Sequence, residues 1–207
     1  MHARHTLLIA ASSFWVCAPL AAAPPANYYN AANGKAGAEL RAALHAIIRN
    51  HHALPYSSTS FDTSDALKVL DQSPTNSSYV NLIYNGSNQL ASIFGTAAGW
   101  NREHMWAQSY GIDGVEPSYS DMFNLRACDE NVNSSRGNKY YDISDTNSAS
   151  YRYPAFAEAP LCSTDADSWE PRPSEKGDIA RAMFYMVTRY TGDTNNGKDF
   201  NVRIFAQ

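Results

Sequence analysis

Two stretches of the chain, WNREHMW (residues 100–106) and DMFNLRACDENVNSSRGN (residues 121–138), decide the fold that we expect. Both stretches mix charged and amide side chains with large aromatic and aliphatic ones. This part of the chain is therefore the most informative about function.

The order of elements predicted across these stretches is strand, loop, strand and short helix. Residues 121–127 alternate as a strand does, with Phe123 and Leu125 on one face. Asp129 and Glu130 follow, and acidic residues are typical of the first turn of a helix. The pattern predicts a ββα unit.

The side chains that this unit brings together have complementary chemistry. Glu103 offers a carboxylate, which binds hard divalent cations through oxygen. His104 offers an imidazole, whose ordinary pKa suits it to take a proton from water. An amide oxygen from the helix would be a further ligand without negative charge, which favours an anionic phosphodiester as substrate. Spacing alone does not choose between Asn131 and Asn133, and an isolated Glu-His pair can also simply end a packed strand.

The remainder of the chain predicts one α+β domain. The apolar stripe of residues 40–48 has helical spacing, and a second helix is expected to begin at Pro173 with an apolar face running to Tyr190. Residues 79–84 are β-prone and are followed by Asn85-Gly86, so residues 88–94 are expected to return as the second strand of a hairpin.

The first 23 residues predict export. Residues 1–23 have a basic start, an apolar run and small residues at the end, which is the layout of a secretory signal peptide. Residues 24–207 would then form the exported domain, without an apolar run long enough to span a bilayer. We expect the protein in the periplasm or outside the cell.

The charge of the chain limits how it can meet nucleic acid. The net charge is −4, and removing residues 1–23, which hold Arg4 and no acid, leaves the domain one unit more acidic. Proteins that bind nucleic acid passively are usually basic. A nucleic-acid substrate would therefore need a local basic patch or a bound cation.

Cys128 and Cys162 are the two cysteines of the exported part. A pair of cysteines in an exported chain is usually one disulfide, so we predict a Cys128–Cys162 bridge, with two buried thiols as the alternative. A rival enzyme class would use Cys128 as a nucleophile with His104 as its base. A disulfide would exclude that rival.

At these residues the chain resembles the endonuclease I family of secreted and periplasmic bacterial nucleases, whose members carry a ββα-metal (His-metal finger) site. Residues 101–104 with Trp106 resemble the first signature of that family, and residues 175–186 resemble a third block. The second signature is matched by Asp121, Asn124, Leu125, Arg126, Asn133, Arg136 and Asn138. The resemblance implies a single mixed α+β domain built around this motif, with flanking helices.

The resemblance also implies roles for individual residues. His104 would be the general base that activates water. Glu103 and Asn133 would be the protein ligands of one Mg²⁺, with Mn²⁺ or Ca²⁺ as alternatives, and water and phosphate oxygens would complete the shell. The Asn-x-x-Arg-x-Asn pattern thus selects Asn133 over Asn131.

Five further residues are given weaker roles. Arg126 and Arg136 would contact phosphate, although either can instead be a structural ion-pair partner. Asp121, Asn101 and Asn138 would support the site rather than bind the cation.

The implied function is cleavage of DNA, with RNA as an open second substrate, by a monomer with little sequence specificity. Ala107 and Ala127 replace prolines that are common in the family, which should affect loop stiffness more than chemistry. The chain ends at Gln207, before a further stretch that the family usually has. A truncated or impaired member acting as a non-catalytic exported binding protein is therefore the alternative.

Overall fold

The computed structural model describes residues 23–190, so the predicted signal peptide lies outside the described residues except for Ala23. Across residues 23–190 the protein is mixed α+β, as predicted. The helices are α1 (Gly37–Ile48), α2 (Thr63–Leu70), α3 (Glu130–Arg136) and α4 (Pro173–Arg189). None of these helices is both long and apolar enough to cross a lipid bilayer.

The strands of residues 23–190 form three small sheets. The first contains β1 (Gln72–Ser73), β2 (Asn76–Asn81) and β3 (Asn88–Leu90), all antiparallel. The second pairs β4 (Trp100–His104) with β5 (Leu125–Asp129). The third has the order β6 (Tyr140–Tyr141), β8 (Ser168–Glu170) and β7 (Ser163–Thr164), with β6 parallel to β8.

The second sheet and α3 follow the predicted order of strand, strand and helix. β4 and β5 are antiparallel in an unbroken register from Trp100 opposite Asp129 to His104 opposite Leu125. α3 starts directly after β5 because the Asp129 side chain accepts hydrogen bonds from the backbone N–H groups at the helix start, those of Asn131 and Val132. The carboxylate of one residue thus ends the strand and caps the helix.

The predicted strand at residues 121–127 is wrong in its position, because β5 begins at Leu125. Asp121 Oδ1 accepts a hydrogen bond from Phe123 N at 2.9 Å, and Asn124 N donates to Asp121 O at 2.9 Å. These bonds close a turn before the strand, and Phe123 is left 65% exposed instead of packing in the core. A short polar side chain that bonds its own backbone competes with strand formation.

The flanking helices confirm the predictions made for them, and the predicted hairpin is confirmed in part. The stripe of residues 40–48 lies within α1, and the helix expected from Pro173 is α4. α1 lies against the end of α4, where Arg41 Nη2 donates to Val187 O at 2.7 Å. β2 and β3 pair as a hairpin, with Val80 opposite Gln89. The predicted strands over residues 79–84 and 88–94 are confirmed only in part, because β2 ends at Asn81 and β3 ends at Leu90.

β5 is buried on both faces and joins two parts of the core. Leu125 packs in one cluster with Leu67, Val80 and Trp100, whereas Cys128 packs in another that includes Trp169. The chain enters β4 through Gly99, where a Cβ would lie 2.0 Å from the carbonyl oxygen of Ile93. Because no side chain fits there, glycine is required for this close approach.

The predicted Cys128–Cys162 disulfide is absent, since both residues are free thiols. Both side chains are buried in the same hydrophobic cluster, where cysteine packs as a small apolar residue. Cys162 Sγ donates to the carbonyl oxygen of Tyr84 at 3.4 Å. The alternative of two buried thiols is therefore the one that the structure shows.

Candidate active site

A cleft of about 810 Å³ lies over the end of β4 and along α3. It is lined by residues of β4, of the segment after β4, of α3 and of the turn that follows α3, together with Tyr56, Phe94 and Gly95 from earlier in the chain. The predicted site residues among its lining are Asn101, Glu103, His104, Asn133, Arg136 and Asn138. Arg126 and Asp121 are not part of the lining.

His104 is the last residue of β4, and its ring is held from both nitrogens. Nε2 lies 2.8 Å from the carbonyl oxygen of Tyr119, and Nδ1 lies 2.9 Å from Gln108 Nε2. Because a carbonyl oxygen only accepts, Nε2 carries the proton and Nδ1 presents its lone pair to Gln108, which lines the cleft. Burial lowers the pKa of His104 to about 4. The imidazole is therefore neutral at physiological pH and able to accept a proton.

Glu103 has one carboxylate oxygen fully engaged and one left for a ligand. Oε1 accepts from Tyr84 Oη at 2.5 Å, from Arg136 Nη1 at 3.0 Å and from Tyr141 Oη at 3.5 Å. No hydrogen bond among residues 23–190 engages Oε2. Burial raises the pKa of Glu103, and the neighbouring Arg136 charge opposes that shift.

Tyr84 remains a hydrogen-bond donor to this carboxylate. Burial, followed by the Glu103 charge, raises the pKa of Tyr84 well above its usual value. The protonated hydroxyl stabilises the ionised form of Glu103. A fixed carboxylate at the cleft is the consequence.

Arg136 reaches from α3 into the interior behind Glu103. Nη1 donates to Glu103 Oε1 and to the carbonyl oxygen of His104, and Nη2 donates to the carbonyl oxygen of Met105, all at 3.0 Å. Its side chain is only 2% exposed. The guanidinium therefore orients the carboxylate and the end of β4, and it does not face the solvent side of the cleft.

Asn133 lies on α3 with its amide held in one orientation. Nδ2 donates to Asn101 Oδ1 at 2.6 Å and to the carbonyl oxygen of Arg102 at 3.2 Å. Both bonds use the amide nitrogen, and no hydrogen bond within the described part of the chain engages Oδ1. The Asn101 side chain thus holds the amide of Asn133 in place.

The available oxygens fit a hard cation that keeps most of its water. Residues 23–190 contain no group of three or more His, Cys, Asp or Glu side chains that could hold a metal ion. The donors at the cleft are instead one free carboxylate oxygen of Glu103 and one free amide oxygen of Asn133. Mg²⁺ commonly binds through one or two protein oxygens together with waters and substrate phosphate.

Arg126 and Asp121 make contacts that hold the fold together. Arg126 Nε lies 2.8 Å from Asp71 Oδ1, and Asp71 Oδ2 accepts from the backbone of β5. Asp121 Oδ2 accepts from Tyr185 Oη at 2.9 Å and from Tyr190 Oη at 2.7 Å. Arg126 is thus in the ion pair given as the alternative to phosphate contact, and Asp121 joins its turn to α4.

Arg102 is a cleft residue to which the sequence pattern assigned no role. Its guanidinium lies over the Tyr56 ring, 3.6 Å from the centroid, and donates to the Tyr56 carbonyl oxygen and to Thr63 Oγ1. Arg102 and the buried Arg136 are the two cationic side chains of the lining. Its place between Asn101 and Glu103 in the first signature is the sequence signal that could have found it.

Comparison with known proteins identifies the family. The family model described as Endonuclease I matches residues 36–205. The chain belongs to the endonuclease I family. The resemblance predicted from residues 101–104 and from the later blocks is thereby confirmed.

The endonuclease I chain has two similar curated relatives. It is 42% identical over 177 residues to an extracellular ribonuclease of Bacillus subtilis (strain 168), which covers 83% of this chain and 57% of the relative. It is also 42% identical over 168 residues to an extracellular ribonuclease of Bacillus amyloliquefaciens, which covers 80% of this chain and 54% of the relative. The chain spans about half the length of these relatives, and no solved structure matches it.

Proposed function

We propose that this endonuclease I family member is an exported, metal-dependent nuclease that hydrolyses internal phosphodiester bonds of RNA and DNA with little sequence specificity. The observation that carries the proposal is that Glu103, His104 and Asn133 line one cleft from β4 and α3. In this proposal β4, β5 and α3 are the ββα-metal motif of the family. The names of the relatives, extracellular ribonucleases, support RNA as a substrate and export as the destination.

His104 is the general base in this mechanism. Its neutral Nδ1 takes a proton from the attacking water after Gln108 releases it, and the Tyr119 carbonyl oxygen holds Nε2–H and stabilises the imidazolium that forms. A positioned general base contributes a factor of about 10² to 10⁴ in rate. Phosphodiester hydrolysis needs far more, so electrostatic stabilisation of the phosphate must supply the rest.

Glu103 Oε2 and Asn133 Oδ1 are the protein ligands for the cation in this proposal. Mg²⁺, when bound, supplies Lewis-acid stabilisation of the charge that develops on the phosphate and on the leaving oxygen. Tyr84 and Arg136 hold the other oxygen of Glu103, and Asn101 holds the amide of Asn133. The two ligand oxygens are therefore oriented before the cation arrives.

Arg102 is the residue that we assign to phosphate contact, and Arg136 we assign to positioning. Both guanidinium groups donate to protein oxygens, but Arg102 is partly exposed in the cleft, whereas Arg136 is buried against Glu103 and two carbonyl oxygens. One arginine and one cation form a local attractive patch on a chain of net charge −4. Such a site contacts the backbone instead of base edges, so cleavage depends little on sequence.

The test is incubation of the purified protein with supercoiled plasmid and with single-stranded RNA, in Mg²⁺, Mn²⁺ or Ca²⁺ and in EDTA. We expect both substrates to be cut in Mg²⁺ and neither in EDTA. Cleavage that persists in EDTA would overturn the metal assignment. Binding of both substrates without cleavage in any of the three cations would overturn the enzyme and favour a binding protein.

A further inference from the structure

A stacked pair of tyrosines, Tyr110 and Tyr140, lies beside one end of the cleft. Their ring centroids are 5.0 Å apart and their planes are 3° from parallel. Tyr110 Oη donates to the carbonyl oxygen of Asn138 at 2.5 Å, and Asn138 Nδ2 donates to Ser109 Oγ at 3.2 Å. Because Ser109 and Asn138 line the cleft, these bonds connect the pair directly to its wall.

Tyr140 is the exposed member of the pair, and Tyr110 is half-buried. Tyr140 is 56% exposed, and neither tyrosine belongs to a hydrophobic cluster of the described residues. Tyr140 lies in β6, opposite Ser168, and its backbone N–H donates to Asp167 O at 2.9 Å. Tyr110 covers one face of the Tyr140 ring, and no other ring contact of Tyr140 occurs within residues 23–190. An exposed aromatic face is therefore available beside one end of the cleft.

We propose that Tyr140, supported by Tyr110, is a stacking site for an unpaired nucleobase of the substrate. The inference rests on the proposed function, because the phosphate in the cleft and the base on Tyr140 belong to the same strand. Bases stack on aromatic side chains whatever their sequence, since every base has a π face. Both faces of a base inside a duplex are covered by its neighbours, so the site discriminates in favour of single-stranded substrate.

The experiment measures binding and cleavage separately. Binding of a short fluorescent single-stranded RNA is followed by anisotropy in Mg²⁺, with His104→Ala as the parent so that the strand stays intact. The same strand with abasic positions and the corresponding duplex are the two comparison probes. Tyr140→Ala removes the ring, Tyr140→Phe keeps a stacking face, and Ile143→Ala is the matched control because Ile143 is 76% exposed and lies three residues away.

We expect Tyr140→Ala to weaken binding of the single strand by at least about 5-fold, as loss of one stacked base requires. Tyr140→Phe and Ile143→Ala should bind like the parent, and Tyr140→Ala should not change binding of the abasic strand or of the duplex. Unchanged binding of the single strand by Tyr140→Ala would overturn the proposal. An equal loss on the abasic strand would also overturn it, because the contact would then be to the backbone.

Cleavage by the unsubstituted protein separates this inference from the proposed function. If the protein cuts RNA but Tyr140→Ala binds normally, the stacking site alone is wrong. If the protein does not cut, the proposed nuclease is wrong, and the abasic comparison still decides whether Tyr140 holds a base. Absence of any binding by the parent would overturn the stacking site.

Discussion

Arg136 Nη1 lies 3.0 Å from Glu103 Oε1, and the two side chains are 2% and 3% exposed. This buried ion pair connects the end of α3 to the end of β4. Arg136 also donates to the carbonyl oxygens of His104 and Met105, so the same guanidinium holds the backbone on which the proposed base sits. Truncating either partner would leave the other charged and buried, which is the costly outcome for such pairs.

Replacing Arg136 with methionine should destabilise the protein strongly. We expect the free energy of unfolding to fall by about 3 to 5 kcal/mol, because Glu103 loses its charge partner in the interior. Urea unfolding measures the change. Arg181→Met is the matched control, since Arg181 pairs with Asp178 on the surface with a side chain that is 74% exposed, and its removal should change stability by less than about 0.5 kcal/mol. Equal effects of the two substitutions would contradict the structural role of Arg136.

Removing the Tyr84 hydroxyl should weaken the cation site more than the fold. In Tyr84→Phe, Glu103 Oε1 loses its 2.5 Å donor but keeps Arg136. Partners that orient a metal ligand typically contribute a factor of about 10 to 100 in metal affinity, so titration calorimetry with Mg²⁺ should show at least about a 10-fold loss. Tyr153→Phe, at an exposed tyrosine, should bind Mg²⁺ like the unsubstituted protein. The same affinity in both variants would show that Tyr84 does not position the ligand.

His104 should make the cation-free protein less stable as the pH falls. Burial lowers the pKa of His104 from 6.5 to about 4, so between these values the unfolded chain binds a proton that the folded chain does not. The contribution of the neutral His104 to the free energy of unfolding is fully present above pH 6.5 and is lost as the pH falls to about 4. Its total is of the order of 3 kcal/mol. Urea unfolding in EDTA at several pH values should show a shallower loss for His104→Gln than for the unsubstituted protein. Identical pH profiles would mean that the imidazole is not held neutral.

The two thiols should be unreactive in the folded state. Burial raises the pKa of Cys162 to about 11 and that of Cys128 well above its usual value, so neither is a thiolate at neutral pH. Alkylation followed by peptide mapping should label both residues after unfolding in the absence of reductant, and neither before. Peptides containing Cys128 and Cys162 that are found linked without reductant and that separate with reductant would contradict the free thiols and favour the disulfide. The high pKa of Cys128 also argues against the rival nucleophile.

The elements that sequence predicts well here are those with a strong local pattern. The helical stripe of residues 40–48, the acidic start of α3 after Asp129 and the helix from Pro173 all have such patterns, and all three helices are present. The start of β5 is harder to predict, because residues 121–127 alternate like a strand. The Asp121 side chain accepts a hydrogen bond from the backbone of Phe123, which forms a turn in place of a strand. The same carboxylate accepts from Tyr185 and Tyr190 of the distant α4 region, and a local pattern does not show these contacts.

The candidate site shows the same division between pattern and packing. The motif locates Glu103, His104 and Asn133, which line one cleft. It does not distinguish an arginine that faces a phosphate from one that is buried, because the sequence shows Arg102, Arg126 and Arg136 only as the same residue type. Burial and bonding partners in the folded protein distinguish the three arginines. The predicted Cys128–Cys162 disulfide is wrong for a similar reason, because spacing in sequence does not give the geometry of the two thiols.

The most direct test of the central claim is the rate at which His104→Ala cleaves single-stranded RNA in saturating Mg²⁺. His52→Ala is the control, since His52 is exposed and is not part of the cleft lining. We expect His104→Ala to lose a factor of about 10² to 10⁴ in the single-turnover rate and His52→Ala to keep the full rate. A His104→Ala variant that folds and cleaves as fast as His52→Ala would contradict the assignment of His104 as the base.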